Sequence, residues 1–199
     1  MKATKEHILK VSFGLFLQKS FKEVTMKEIV ERTGMSKGAF YHYFNSKEQI
    51  YLEIINSAFS SVLYVDFSQF NSNSLNAFYH DYIAYLNRIY DSFLSTVEDN
   101  SSFDLNYYSL IFDAIRLFPD FREKMIVSTC ADLEAWVKII HTAKEQGEIK
   151  SSMSDEQIAN VFIYTNSGIS MENIMTGRSE DITKSLLNLW DSFYAQIKQ

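Results

Sequence analysis

Seven consecutive residues, Lys37-Gly38-Ala39-Phe40-Tyr41-His42-Tyr43, gather an ammonium, an imidazole and two phenols. At helical spacing, Lys37, Gly38 and Tyr41 fall on a first turn or one turn further on. There the side chains of a helix laid in a DNA major groove reach base edges and phosphates. Gly38 lacks a side chain and permits close backbone approach. The polar tips of Tyr41, His42 and Tyr43 suit phosphate oxygens, contacts that orient a protein on a duplex without reading its sequence. Phe40 and Phe44, four residues apart, predict the inward face that holds this helix down. Packing in that aromatic cluster is the competing reading for Tyr41 and Tyr43. A metal role for His42 lacks partners, because His7, His80 and His141 are scattered and the single cysteine, Cys130, is remote. There is no G-x-S-x-G, P-loop or G-x-G-x-x-G. Carboxylate pairs such as Asp155/Glu156 sit at expected helix starts, where the dipole favours negative charge without catalysis. The expectation is a protein that is not an enzyme, with no catalytic residues, metal or cofactor.

The elements around this run are punctuated by caps. Thr25-Met26-Lys27-Glu28 is a capping box, and Val24 and Ile29 occupy hydrophobic-staple positions. Ser36 opens a second helix, with Met35 and Phe40 as its staple. Ser46-Lys47-Glu48-Gln49 opens a third. Gly34, between the first two, suits the left-handed residue that ends one helix and turns sharply into the next. Two short helices joined by such a turn predict a helix-turn-helix. The helix starts at Thr25 and Ser46 also present free N–H groups to phosphates.

The run Gly34-Met35-Ser36-Lys37-Gly38-Ala39-Phe40-Tyr41-His42-Tyr43-Phe44, followed by Ser46-Lys47-Glu48, resembles the DNA-binding segment of the TetR family of bacterial transcriptional regulators. The resemblance in motif covers roughly the first quarter of the chain; beyond it only length and helical layout are similar. It implies aromatic phosphate and base contacts from Tyr41, His42 and Tyr43, a phosphate contact from Lys47 and another contact from Thr25. It also implies a small inducer held in the C-terminal body.

Net charge divides accordingly. The whole chain of 199 residues carries −6, but residues 1–50 hold nine Lys/Arg against five Glu, a balance of +4, and residues 51–199 carry −10. A basic head on an acidic body puts the field favourable to phosphate at one end. One cysteine excludes an internal disulfide and is compatible with a reducing cytosol. No apolar run suits a signal peptide or a membrane span, so a cytoplasmic protein without membrane contact is expected.

Apolar spacing predicts an all-α chain of about nine helices, divided into a head of residues 1–46 and a body of residues 47–199. The first helix covers about Thr4–Lys19. The fourth starts after Ser46 and continues through Val62 and Leu63. Later helices are expected over 75–94, up to Leu117, up to Gln146 with Gly147 ending it, from Ser154 to Gly177, and over 180–197. Of 30 aromatic residues, 23 lie beyond residue 50. Tyr79, Tyr82, Tyr85, Tyr107, Tyr108, Trp136 and Tyr164 combine apolar area with a polar handle, which suits either a ligand cavity or a helical core. Tyr82, Tyr107, Tyr108, Ile111, Trp136 and Asn166 are the candidate ligand contacts, for a neutral hydrophobic or aromatic effector. A homodimer is expected to pair its last two helices, using Phe162, Thr165 and Ile169 from one and Ile182, Leu186, Leu189 and Phe193 from the other. The whole reads as a regulator, a repressor released from a pseudo-palindromic double-stranded operator by its effector. The alternatives are a small-molecule sensor or carrier that no longer reads DNA, and an all-α enzyme.

Overall fold

Helix-forming residues dominate and breakers are few, with six Gly and one Pro in the chain. The computed structural model describes residues 4–58, 60, 64–94, 103–176 and 181–199. Among them the fold is all-α. The helices are α1 (Lys5–Gln18), α2 (Met26–Thr33), α3 (Lys37–Tyr41), α4 (Lys47–Ala58), α5 (Leu75–Leu94), α6 (Phe103–Leu117), α7 (Pro119–Glu145), α8 (Asp155–Thr176) and α9 (Ile182–Ile197). The continuation of α4 expected through Val62 and Leu63 lies outside the described residues. A 3₁₀ turn at Phe67–Gln69 interrupts the loop expected before α5.

The chain forms two compact units. The first contains residues 1–64 and 96–125, the second residues 65–95 and 126–199. In the first, Ile8, Leu15 and Phe16 of α1 pack with Ile29 of α2, Phe40 of α3, and Ile50, Tyr51 and Ile55 of α4. Leu110, Ala114 and Phe121 join the same core. Two bonds key α6 into this unit. The Tyr51 hydroxyl donates to the Leu110 carbonyl at 3.0 Å, and the Phe21 N–H donates to Asp113 Oδ2 at 3.1 Å.

The second unit is built on aromatic rings. Trp136 of α7 stacks on Phe162 of α8 at 4.7 Å and meets Trp190 of α9 edge-on at 5.4 Å. The indole N–H of Trp190 donates to Thr165 Oγ1 at 2.9 Å, so this buried polar atom is satisfied. Glu148, in the α7–α8 turn, caps α5 from a distance. Its carboxylate accepts from the N–H groups of Leu75 and Asn76 and from the hydroxyls of Ser74 and Tyr194. Gly147 ends α7 at φ 73°, a conformation that glycine adopts without a Cβ clash. Among the described residues no helix is long and apolar enough to cross a membrane.

Candidate nucleic-acid interface

The helix-turn-helix is assembled by three local devices. Thr25 Oγ1 accepts from the Glu28 N–H at 3.2 Å and starts α2. Gly34 ends α2 at φ 66°. Ser36 Oγ then accepts from the Ala39 N–H at 3.3 Å and starts α3. Glu28 is further tied to Lys19, whose ammonium holds its carboxyl below the usual range. Phe40 is fully buried and Phe44 nearly so, which anchors α3 from beneath. The helix ends at Tyr41, so His42 and Tyr43 occupy the turn after it rather than its last positions. Tyr43 N–H donates to the Phe40 carbonyl at 2.9 Å.

Seven of the eight candidate DNA-contacting residues face outward. Thr25, Ser36, Lys37, Gly38, Tyr41, His42 and Tyr43 are all exposed. For two of them exposure runs against side-chain chemistry, since Tyr41 and Tyr43 leave 44% and 38% of their surface in solvent. Phe40, between a glycine turn and Tyr41, takes the core position instead. A Cβ built at Gly38 would meet nothing within 4 Å. The protomer therefore imposes no steric need for glycine there, and the open space belongs to whatever approaches from outside.

Lys47 behaves differently. It is half-buried, and its ammonium donates to the carbonyls of Phe21 at 2.5 Å and Val24 at 2.6 Å. The same group stands 4.2 Å from the centre of the Phe21 ring, a cation–π contact. Two of its three N–H bonds thus secure the α1–α2 connection, and one remains beyond these two. The separations of 26 and 23 residues put this role beyond local sequence reading.

The candidate ligand contacts fall in both units. Tyr82, Trp136 and Asn166 share the second. Tyr82 and Trp136 are buried with ring centres 5.5 Å apart, and the half-buried Asn166 is hydrogen-bonded to the Tyr82 hydroxyl. Tyr108 and Ile111, both half-buried, belong to the first unit. The side chain of Tyr107 lies outside the described residues. Tyr164, expected among the ring-lined positions, is 67% exposed and contributes to no such lining.

The residues expected to pair two copies divide as well. Phe162 and Leu186 are wholly buried in the protomer core, and Thr165 receives the Trp190 indole. These three work within the chain, because α8 and α9 pack on each other and take up those faces. Ile169, Ile182 and Phe193 are half-buried, and Leu189 is exposed. Among the described residues, the large apolar side chains exposed on α8 are Tyr164, Met171 and Met175, the last 79% exposed. Helical phase does not distinguish these faces on a helix that is apolar on several sides.

Residues 8–54 match the family model described as bacterial regulatory proteins, tetR family. The HTH-type transcriptional regulator YerO of Bacillus subtilis is 48% identical over 52 residues, 26% of this chain and 18% of that protein. The HTH-type transcriptional regulator QacR of Staphylococcus aureus is 40% identical over 52 residues, 26% of this chain and 28% of that one. The chain thus spans less than a third of either relative, and in both cases the match is of head length. The crystal structure of reduced Escherichia coli NemR superposes with a TM-score of 0.61 at 20% identity, covering 96% of this chain and 97% of that one. Beyond the head, the likeness is one of fold.

Proposed function

We propose that this chain, which carries the helix-turn-helix head of the TetR family of bacterial regulatory proteins, is a ligand-responsive transcriptional regulator. In this reading it works in the cytoplasm as a repressor, and a homodimer binds a pseudo-palindromic double-stranded operator. Residues 1–46 bind DNA, and residues 47–199 bind the effector and dimerise. The observation that carries the reading is the exposed row Ser36, Lys37, Gly38, Tyr41, His42 and Tyr43, held from beneath by Phe40 and Phe44.

Charge, hydroxyl and bare backbone have separate roles on that row. Lys37 supplies the positive charge that displaces counterions from phosphates. Gly38 lets the α3 backbone approach the groove. Tyr41 offers a ring face and a hydroxyl one turn on from Lys37. A recognition helix of five residues reads too few bases for useful specificity. Two copies on a two-fold site double the reading. Tyr164, Met171 and Met175 of α8 and Leu189 of α9 supply the apolar surface for that pairing.

The effector acts by coupling. The Phe21–Asp113 bond fastens α6 to the head, the Tyr51–Leu110 bond fastens it to α4, and α7 follows α6 directly. An effector that favours one tilt of these helices changes the separation of the two heads, typically at a coupling of about 1–3 kcal/mol. Genomic fragments are screened for binding at physiological salt, and the selected site is then used in fluorescence anisotropy. Lys37→Ala and Tyr41→Ala are each expected to weaken it about 5- to 150-fold, with helical content and dimer unchanged. Binding by either variant within a factor of two of wild type removes that residue from the interface.

A further inference from the structure

The second unit holds three half-buried carboxylates among its described residues, and two of them are satisfied. Glu148 accepts four hydrogen bonds around the α5 start. Asp155 meets the Lys144 ammonium at 2.8 Å and the His141 ring at 3.1 Å. The third, Asp132 on α7, has no ion pair and no hydrogen-bond donor among the described residues. Desolvation alone raises it, to about 6. Near neutral pH this leaves a carboxylate that is charged, partly stripped of water and uncompensated by any described residue, an arrangement that a bound cation would relieve.

Its surroundings specify what would compensate it. Asp132 lies one helical turn before Trp136, and its charge acts on the hydroxyls of both Tyr82 and Tyr85. Tyr82 and Tyr85 have ring centres 6.5 Å apart, and Phe70 stands 6.0 Å from the first and 5.6 Å from the second. Tyr85 is half-buried, like Asp132, so the cluster opens to solvent at these two residues. The Arg88 guanidinium already stands 5.9 Å from the Tyr85 ring centre, so this ring accommodates a cation over its face. Arg88 is not paired with Asp132. A single carboxylate among ring faces offers too few oxygens for a hard metal ion, which takes six or more. It suits a delocalised or alkylated nitrogen cation, whose charge meets Asp132 and whose carbon surface meets the rings.

We propose that Asp132, Tyr82 and Tyr85 form a recognition site for an organic monocation with an apolar or aromatic frame. The inference rests on the ligand-responsive reading above and replaces the neutral effector expected from the sequence with a cation.

The probes are benzyltrimethylammonium and its uncharged carbon isostere, neopentylbenzene, titrated into the full-length protein at pH 7.5. Tryptophan fluorescence and calorimetry report binding. The cation is expected to bind wild type at least about tenfold more tightly than the isostere, the size of one cation–π or charge contact in a partly dry site. Asp132→Asn is expected to abolish that preference while raising the melting temperature of the unliganded protein, because it removes an uncompensated charge. Tyr85→Leu is expected to weaken the cation and leave the isostere unchanged. Equal binding of the two probes to wild type overturns the proposal, as does undiminished cation binding by Asp132→Asn. Operator affinity measured with bound cation separates the two readings. Asp132-dependent binding that leaves operator affinity unaltered keeps the site and overturns the regulatory role.

Discussion

The head and the body use aromatic residues in opposite ways. In the head, Phe40 and Phe44 are buried while Tyr41 and Tyr43 are presented outward, and the proposed DNA contacts lie on the surface. In the body, Trp136, Phe162, Trp190 and Tyr79 are buried against one another, and their exposed counterpart Tyr164 points away from the core. An aromatic side chain is therefore no guide to function by type alone. What matters is whether its ring is spent on packing or left for a partner.

The largest break in that contrast is expected at the body core. Trp136→Ala removes a fully buried ring that touches Phe78, Tyr82, Phe162 and Trp190. A loss of about 3–5 kcal/mol is expected in urea unfolding. Tyr41→Ala, equally aromatic but exposed, is expected to change stability by no more than about 0.5 kcal/mol. A similar cost for both would erase the distinction between packed and presented rings.

A second comparison sets two carboxylates of the body against each other. Asp132 is raised from 3.8 to about 6. Its folded value lies above its unfolded one, so stability falls as pH rises from about 4 to 6 and stays lower above that. Burial pushes Glu148 upward too, but its four hydrogen bonds outweigh this and hold it below the usual value of 4.5. Its contribution is present above that value and is lost as pH falls through its lower folded pKa. Glu148→Gln is therefore expected to lower the melting temperature at pH 7.5, reflecting a loss of about 1–3 kcal/mol in stability. Asp132→Asn is expected to raise it at pH 7.5 and leave it unchanged at pH 3.5. Thermal scans at the two pH values check both signs.

The two lysines expected on DNA form the finest comparison. Lys37 is exposed on α3, whereas Lys47 holds two carbonyls and the Phe21 ring. Lys47→Met is expected to destabilise the head by about 1–2 kcal/mol, whereas Lys37→Met leaves stability unchanged. The salt dependence of operator binding sharpens the assignment. A fall in slope by about 1 in Lys47→Met marks its third N–H as a phosphate contact. An unchanged slope assigns it to positioning alone.

Much of the head was legible in the sequence because its signals are local. The caps at Thr25 and Ser36 act on N–H groups three residues ahead, and Gly34 sits where α2 must end. The spacing of Phe40 and Phe44 gives the buried face directly. The unread parts depend on distant partners. The bond from Phe21 to Asp113 spans 92 residues, and those from Leu75 and Asn76 to Glu148 span 73 and 72. No cap motif announces them. The closure of the C-terminus on the α7–α8 turn, through a bridge between Ile149 and Lys198, is equally non-local. On α8 the apolar residues encircle the helix, so periodicity placed Phe162 on an expected dimer face when it lies in the core.

The claim that the α3 surface reads DNA is tested most directly at Gly38. A methyl group there meets no atom within 4 Å beyond its own stretch of helix, and alanine favours a helix over glycine by about 1 kcal/mol. Melting and operator anisotropy are measured on Gly38→Ala. The expected result is a melting temperature equal to or above wild type together with operator binding weakened at least about tenfold, or roughly 1.4 kcal/mol. Operator binding within a factor of two of wild type, on an equally stable protein, would show that the α3 backbone does not approach the groove.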